Sequence, residues 1–209
     1  TESRTRKNKR TGSKYYMNTG KLIVLSAPSG TGKTTICKKL LENNPKWKFS
    51  VSATTRDLRE GEKEGKDYVY ISNEKFEHSV KFGDFLEWEW VHGNKYGTPI
   101  GPLEDGLDEG HTILLDVDVK GGMTVMEEFP DETIGIFIEP PGDDVPEQLE
   151  TLEKRLNARG NEPPQLIVKR LKRFPLEIEY KENFKYHFIN DKLEETIKNI
   201  EKVIKENIK

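Results

Sequence analysis

The sequence predicts an α/β fold with a mostly parallel, doubly wound sheet. Short and nearly continuous apolar runs, typical of strands buried on both faces, occur at 21–26, 112–117, 134–138 and 186–189. Segments with helical periodicity separate these runs, and this alternation is typical of βα units. The first run leads through a glycine-rich loop into a helical pattern at 34–41, which Asn43, Asn44 and Pro45 should end.

An amphipathic helix is predicted at the carboxyl end of the chain. Its apolar residues recur at steps of three or four, which places them on one helical face. They are Leu193, Ile197, Ile200, Ile204 and Ile208.

Two stretches interrupt the core pattern. Residues 49–98 are rich in aromatic residues, threonine and glycine and show strand-like alternation, so we predict a small mixed-sheet insertion. Residues 140–175 contain two charged helical patterns separated by a break at 160–164. One core with two appendages is the simplest organisation, and the core segments are 20–48, 99–139 and 176–209.

The composition narrows the protein class. Charged residues make up 34% of the 209 residues, above the ~25% of ordinary soluble proteins, and the mean hydropathy is −0.79. The longest apolar run is about six residues, far short of the ~18 that a membrane span needs. Cys37 is the only cysteine, which excludes an intramolecular disulfide framework. We therefore predict a cytoplasmic protein that is neither secreted nor membrane-spanning.

The net charge of −3 conceals a basic amino-terminal arm at 1–19, ahead of a domain at 20–209. Residues 1–21 hold seven basic residues and one acidic residue, which leaves 27 basic and 36 acidic residues in the remainder. A disordered, solvated tail is the favoured interpretation, because residues 1–14 contain no apolar residue that could pack. Contact with nucleic acid or anionic lipid is the alternative.

The loop after the first apolar run matches the phosphate-loop pattern G-x-x-x-x-G-K-[ST], except that Ala27 replaces the first glycine. Gly30 and Gly32 allow consecutive backbone N–H groups to turn towards phosphate oxygens. The helix that follows directs its positive end at the same anion. The residues predicted to bind ATP here are Ala27, Pro28, Ser29, Gly30, Thr31, Gly32, Lys33, Thr34 and Thr35.

Three side chains near this loop carry the predicted chemistry. Lys33 would supply a positive charge to the β- and γ-phosphates, and the Thr34 hydroxyl would ligate the Mg²⁺ that accompanies ATP. Asp116 ends a buried strand and could hold the outer shell of that ion, although many strands end in aspartate. A glycine-rich turn that contains Lys-Thr by chance is the alternative to a phosphate loop.

The insertion carries a candidate site for a second phosphate. Arg56 and Arg59 lie three residues apart, and Tyr68 and Tyr96 follow in the same insertion. Arginine forms bidentate, charge-assisted hydrogen bonds with phosphate. Surface ion pairs and half-buried packing are the alternative roles for these side chains.

Six segments in a consistent order resemble the guanylate kinase family. They are SAPSGTGKTT, SVSATTRDLREGEKEGKDY, FLEWEWVHGNKYGTP, LLDVDVKGG, EKRLNARG and FINDKLEET, and the resemblance extends from about Gly20 to Lys205. It implies a P-loop NTPase fold with a GMP-binding insertion at 49–98 and a helical lid at 140–175. It also implies transfer of the ATP γ-phosphoryl group to GMP, which gives ADP and GDP.

The resemblance assigns roles to the insertion. Arg56, Arg59, Tyr68 and Tyr96 would bind the GMP phosphate, and Glu87 would accept hydrogen bonds from guanine N1–H and the 2-amino group. Adenine lacks the 2-amino donor and presents a bare N1 lone pair, so it would leave a buried Glu87 carboxylate unpaired. Such rejection can reach an order of 10⁴-fold. Further guanine contacts are implied for Ser52, Thr98 and Asp118.

The resemblance also assigns lid residues. Arg155, Arg159 and Arg170 would act with Lys33 to neutralise charge on the transferring phosphoryl group. Asn190 falls where the family contacts the adenine nucleotide. By contrast, Lys172 and Arg173 are interpreted as solvated surface charge.

Three features depart from the family pattern, and one of them is the basic arm, which lies outside the shared region. Residues 142–151 lengthen the expected connection into the first lid helix, and Pro175 should kink or end the second.

A non-catalytic, guanylate-kinase-like module that binds a phosphopeptide is the alternative function, but such modules typically lose the phosphate loop that is intact here. The expected partners are ATP and GMP rather than nucleic acid or membrane, with the chain a monomer or homodimer. No histidine or cysteine spacing predicts a metal cluster, so Mg²⁺ should arrive with ATP.

Overall fold

The computed structural model describes residues 5–7, 14–16, 20–91, 93–160 and 163–208. The chain forms two compact units. The first comprises Thr1–Leu22 and Lys46–Ile113, and the second comprises Ile23–Pro45 and Leu114–Lys209.

Strands and helices alternate through most of the described chain. The strands are β1 (Thr5–Lys7), β2 (Lys14–Tyr16), β3 (Lys21–Ser26), β4 (Lys48–Phe49), β5 (Ala53–Thr54), β6 (Val69–Tyr70), β7 (Phe85–Val91), β8 (Asn94–Pro99), β9 (Thr112–Asp116), β10 (Thr133–Glu139) and β11 (Tyr186–Ile189). The helices are α1 (Lys33–Asn43), α2 (Asn73–Phe82), α3 (Gly101–Asp108), α4 (Val119–Glu128), α5 (Val145–Arg159), α6 (Pro164–Leu171), α7 (Phe174–Ile178) and α8 (Leu193–Asn207), with a 3-10 helix at Lys181–Asn183.

The four predicted core strands, together with β4, form a five-stranded sheet in the order β11-β10-β3-β9-β4. Strands β10 and β11 pair in parallel, with Ile136 opposite Tyr186. The apolar residues of β3, β9 and β10 are buried, as predicted for central strands. The prediction of burial on both faces is wrong for β11, where His187 and Ile189 are exposed because this strand lies at the sheet edge.

Both predicted helices flanking the core are confirmed. Helix α1 buries Ile36, Cys37 and Leu40, and α8 buries Ile197 and two further isoleucines on the same face. The hydrophobic face therefore falls where the periodicity of the sequence places it.

The insertion contains the expected small mixed sheet, in the order β6-β5-β8-β7. Strand β5 pairs in parallel with β6 and antiparallel with β8, which in turn pairs antiparallel with β7. Helix α2 is an element that our sequence analysis did not predict. It begins where the Ser72 side chain accepts a hydrogen bond from the Lys75 N–H, and it ends at Gly83, whose φ is 68°.

Three helices occupy the segment that begins at residue 145. Asp144 caps α5 by accepting from the Glu147 N–H, and the Glu147 carboxylate accepts from the Asp143 N–H, both at 2.9 Å. The predicted long connection is therefore wrong for residues 145–151, which are helical. Helix α6 ends at Leu171, and Pro175 lies in the first turn of α7, a position that proline tolerates because its missing N–H has no helical partner there.

The predicted disordered arm lies mostly outside the described residues. Of this arm the structure describes β1 and β2, which pair antiparallel with Thr5 opposite Tyr16, and the disorder of the arm stays a prediction. Among the described helices, none combines the length and apolar character required to cross a membrane.

Candidate functional site

The phosphate loop joins β3 to α1 in the second unit. Gly30 and Gly32 have φ values of 92° and 102°, in the left-handed region that residues with a Cβ rarely adopt. A Cβ on Gly32 would also lie 2.6 Å from Asn190 Nδ2. The turn therefore requires glycine at 32 for both conformation and space.

Lys33 and Asp116 form an ion pair beside this loop, with Nζ and Oδ1 2.7 Å apart. Lys33 also donates to the Val117 carbonyl oxygen. Burial by itself would lower the pKa of Lys33, but the adjacent Asp116 carboxylate raises it, so the ammonium stays charged. Thr34 Oγ1 donates to Asp116 Oδ2 at 3.4 Å. The predicted phosphate-binding cation and the two predicted metal-site oxygens thus lie together.

Asn190 and Arg155 hold the centre of the phosphate loop from the opposite side. Asn190 Nδ2 donates to the Thr31 carbonyl oxygen at 2.7 Å. The two Nη atoms of Arg155 donate to the carbonyl oxygens of Thr31 at 3.3 Å and Asn190 at 2.8 Å. A cavity of about 380 Å³ is lined by these residues together with Gly30, Gly32, Thr35, Ala158, Asp191 and Leu193. Four of the predicted ATP-binding residues, with Asn190 and Arg155, therefore surround one cavity.

Two buried oxygens at this cavity, Thr31 Oγ1 and Asn190 Oδ1, have no hydrogen-bond partner among the residues that the structure describes. Buried polar atoms are normally satisfied, so unpaired ones favour contact with a ligand or water. The cavity therefore presents hydrogen-bonding capacity as well as space.

Ser29 connects the phosphate loop to helices α6 and α7. Arg170 Nη1 donates to Ser29 Oγ at 3.1 Å. The Glu177 carboxylate accepts from the Ser29 backbone N–H; burial raises the pKa of Glu177, and this hydrogen bond opposes the shift. Arg170 thus lies beside the loop, and its role at the transferring phosphoryl group stays a prediction. The structure does not describe the side chain of Arg159, so the predicted role of this residue stays a prediction.

Arg173 and Asp118 form an ion pair at the start of helix α4. Arg173 is exposed, as expected for surface charge, and lies 3.7 Å from Asp118 and 3.4 Å from Glu177. Asp118 caps α4 by accepting from the Gly121 N–H at 2.8 Å. Helix capping is thus the role observed for Asp118, and its guanine contact stays a prediction.

In the first unit, Arg56 is the centre of the predicted phosphate site. Its Nε donates to the Tyr96 hydroxyl at 3.2 Å, and its guanidinium lies 5.0 Å from the Tyr68 ring centroid. The rings of Tyr68 and Tyr96 meet edge to face at 5.6 Å. The structure therefore brings three of the four predicted phosphate ligands together.

The fourth predicted ligand, Arg59, has an exposed side chain. Its backbone N–H donates to Glu62 Oε2 at 2.9 Å. Glu62 also forms a bidentate ion pair with Arg56, at 2.6 and 2.7 Å. Glu62 was assigned no role from the sequence. The usable signal was an acidic residue six positions after an arginine, in a loop with two candidate phosphate ligands.

Glu87 and Thr98 lie opposite each other on β7 and β8. Thr98 is buried, and its hydroxyl donates to Glu87 Oε1. Glu87 is half-buried, and its guanine contact stays a prediction. Ser52 contributes its carbonyl oxygen to a hydrogen bond from the Val69 N–H at 3.0 Å, and its guanine contact stays a prediction.

No group of three His, Cys, Asp or Glu side chains within the described ranges is arranged to hold a metal ion. Cys37 is buried, and burial raises the pKa of its thiol. It therefore packs as a core residue and is not placed to act as a nucleophile.

Comparisons with known proteins agree with this geometry. The family model described as guanylate kinase matches residues 19–207. A guanylate kinase of Clostridium tetani is 44% identical over 188 residues, which cover 90% of this chain and 86% of that protein. A guanylate kinase of Chlorobium luteolum is 43% identical over 178 residues, covering 85% and 87%. The crystal structure of guanylate kinase from Anaplasma phagocytophilum superposes with a TM-score of 0.72 at 37% identity, covering 92% of this chain and 88% of that one.

Proposed function

Because the chain belongs to the guanylate kinase family, we propose that it transfers the γ-phosphoryl group of ATP to GMP and releases ADP and GDP. The observation that carries this proposal is the intact arrangement of Lys33, Thr34 and Asp116 at the phosphate loop. A non-catalytic phosphopeptide-binding module would not need this arrangement. Nothing in the comparisons favours that alternative.

The ATP side of the reaction depends on alignment and charge, because phosphoryl transfer needs no protein nucleophile. Lys33 would hold the β- and γ-phosphate oxygens once they replace its contact with Asp116. Arg155 and Arg170, already anchored on the phosphate loop, would place their guanidiniums near the transferring group. Arg159 is proposed to act with them.

Thr34 and Asp116 are the proposed residues for Mg²⁺. A hydroxyl and a carboxylate are hard oxygen donors of the kind this ion prefers. Mg²⁺ bound with ATP would neutralise charge on the phosphates. The Asp116 carboxylate is paired with Lys33, and it would exchange this cation for Mg²⁺ when nucleotide binds.

The GMP side is proposed to read the base through Glu87 and Thr98. The Thr98 hydroxyl occupies one carboxylate oxygen of Glu87, which fixes the orientation of the second oxygen. That carboxylate would accept from guanine N1–H and the 2-amino group, and adenine cannot satisfy it. Arg56, Arg59, Tyr68 and Tyr96 would bind the phosphate, with Ser52 and Asp118 as further contacts to the base.

We also propose a cytoplasmic location, supported by the highly charged composition and the single buried cysteine. ATP and GMP are the proposed small-molecule partners. The expectation that the chain is a monomer or a homodimer stays a prediction.

The proposed function is tested by ADP release with ATP, Mg²⁺ and each nucleoside monophosphate in turn. We expect strong turnover that depends on GMP, and its loss in Lys33→Ala. Lys38→Ala is the matched control, since Lys38 is exposed on the same helix and should retain activity. Absence of GMP-dependent turnover in a folded wild-type protein would overturn the proposal.

A further inference from the structure

The Glu62 carboxylate in the first unit accepts from four donors. Arg56 Nη2 donates to Oε1 at 2.6 Å, and Arg56 Nη1 donates to Oε2 at 2.7 Å. The Tyr70 hydroxyl and the Arg59 N–H also donate to Oε2, at 2.7 and 2.9 Å. These hydrogen bonds, those from Arg56 first, lower the pKa of Glu62 to about 2. Glu62 therefore stays ionised at neutral pH.

Arg56 has little hydrogen-bonding capacity left for a ligand. A guanidinium has five N–H donors. Two reach Glu62, a third reaches the Asp57 carbonyl oxygen at 2.9 Å, and Nε–H reaches Tyr96. One N–H, on Nη2, has no acceptor within the described part of the chain.

The surroundings also fix the orientation of Arg56. Its side chain is only 8% exposed. The Tyr68 and Tyr70 rings lie 5.0 and 5.6 Å from the guanidinium, within the range of a cation–π contact. A side chain that is buried, paired and covered in this way cannot swing to meet a ligand without breaking several contacts.

The two arginines of this site differ in whether a carboxylate offsets their positive charge. The positive charge of Arg56 is offset by Glu62, which is bound to it in a bidentate pair. Arg59 is exposed and lends only its backbone N–H to that pair. The residual positive charge of the site is therefore that of Arg59.

We propose that Glu62 is a positioning residue of the GMP-phosphate site: it holds Arg56 in one orientation, with one N–H directed to the phosphate, while Arg59 supplies the net positive charge. This inference rests on the proposed function. In this proposal Glu62 does not contact the substrate. Arg56 supplies a directed hydrogen bond, and Arg59 supplies the charge.

The opposite role, in which Glu62 competes with the phosphate for Arg56, is disfavoured by charge. If GMP displaced Glu62, an ionised carboxylate would remain next to a phosphate dianion. Only Tyr70 and the Arg59 N–H would then hydrogen-bond it. Like charges at such short range repel strongly, so the phosphate should approach the pair without separating it.

The test is calorimetric binding of GMP and of guanosine to the full chain, comparing wild type, Glu62→Gln and Glu60→Gln. The amide of Glu62→Gln has one oxygen and would turn an NH₂ group towards the N–H donors of Arg56. We expect GMP binding to weaken about tenfold or more, as for a lost hydrogen bond to a charged group, and guanosine binding to change less than about twofold. Glu60 is exposed in the same loop, so Glu60→Gln should leave both affinities unchanged.

Each other outcome contradicts the inference. Tighter GMP binding by Glu62→Gln would make Glu62 a competitor, and an equal loss for GMP and guanosine would make its role merely structural. Glu62→Asp keeps the charge, so it should recover part of the GMP affinity, and it decides the question if Glu62→Gln does not fold. Wild type that binds no GMP would overturn the proposed function and this inference together, whereas unchanged GMP binding by Glu62→Gln would overturn the inference alone.

Discussion

The phosphate loop of the second unit and the Arg56 site of the first are both proposed to bind anions, and they are built by different means. The loop relies on backbone conformation, with Gly30 and Gly32 in the left-handed region. The Arg56 site relies on side chains, with Glu62 and Tyr96 fixing one guanidinium. A backbone site demands particular residues at fixed spacing, whereas a side-chain site tolerates many spacings. This difference explains why the first was evident in the sequence and the second was only partly so.

The largest expected effect is on discrimination between GMP and AMP, which we attribute to the Glu87 side chain. Glu87→Ala should reduce discrimination between GMP and AMP by orders of magnitude, up to about 10⁴-fold, because the carboxylate that adenine would leave unpaired is gone. The measurement is the ratio of kcat/KM for the two monophosphates.

Asp105→Asn serves as the control for Glu87→Ala, because Asp105 is an exposed carboxylate of helix α3 in the same unit. It should leave the ratio unchanged. Thr98→Val should reduce discrimination by less, since it removes one donor to Glu87 and leaves the carboxylate in place. Unchanged discrimination in Glu87→Ala would refute base recognition by this residue.

A smaller but clear effect is expected at the backbone site. Gly32→Ala forces a Cβ into a conformation with φ of 102° and to within 2.6 Å of Asn190 Nδ2. The left-handed conformation alone costs about 1–2 kcal/mol for a residue with a Cβ, so ATP affinity should fall about tenfold or more. Nucleotide titration measures the change.

Gly101→Ala is the matched control for Gly32→Ala. A Cβ on Gly101 would meet no atom within 4 Å, and this glycine has no positive φ. Its ATP affinity and thermal stability should therefore match wild type. If both variants bound ATP equally well, the phosphate loop would not depend on backbone conformation as we infer.

The same contrast explains how much the sequence could predict. Periodicity identified β3, α1 and α8, because a buried strand and an amphipathic helix each impose a repeating pattern. It did not identify α2, whose boundaries depend on Ser72 and Gly83 and whose only buried residue is Phe76.

The candidate site shows the same limit. Lys33 was evident because the loop fixes its position relative to the glycines. Glu62 was not, because its pairing with Arg56 depends on how the loop between these two residues folds. Ordinary sequence spacing distinguishes such residues poorly from solvated charge in a chain with 34% charged residues.

The smallest expected effect is on stability at acidic pH, and it tests whether the side-chain contacts of the Arg56 site stabilise the fold. The folded-state pKa of Glu62 is lowered to about 2 from a reference of 4.5, chiefly by Arg56 and then by Tyr70. A group with a lowered folded pKa stabilises the fold above its unfolded pKa, and this contribution is lost as the pH falls towards the folded pKa. The window for Glu62 therefore runs from about pH 4.5 down to about pH 2.

Urea unfolding at a series of pH values should show stability falling more steeply in wild type than in Glu62→Gln across this window, while the difference between them stays constant above it. Other carboxylates with lowered pKa values, such as Glu109 and Glu150, titrate in both proteins and cancel in the comparison. Parallel curves throughout the window would mean that the Arg56–Glu62 pair does not stabilise the fold, and that Tyr96, the Asp57 carbonyl oxygen and packing hold the guanidinium instead.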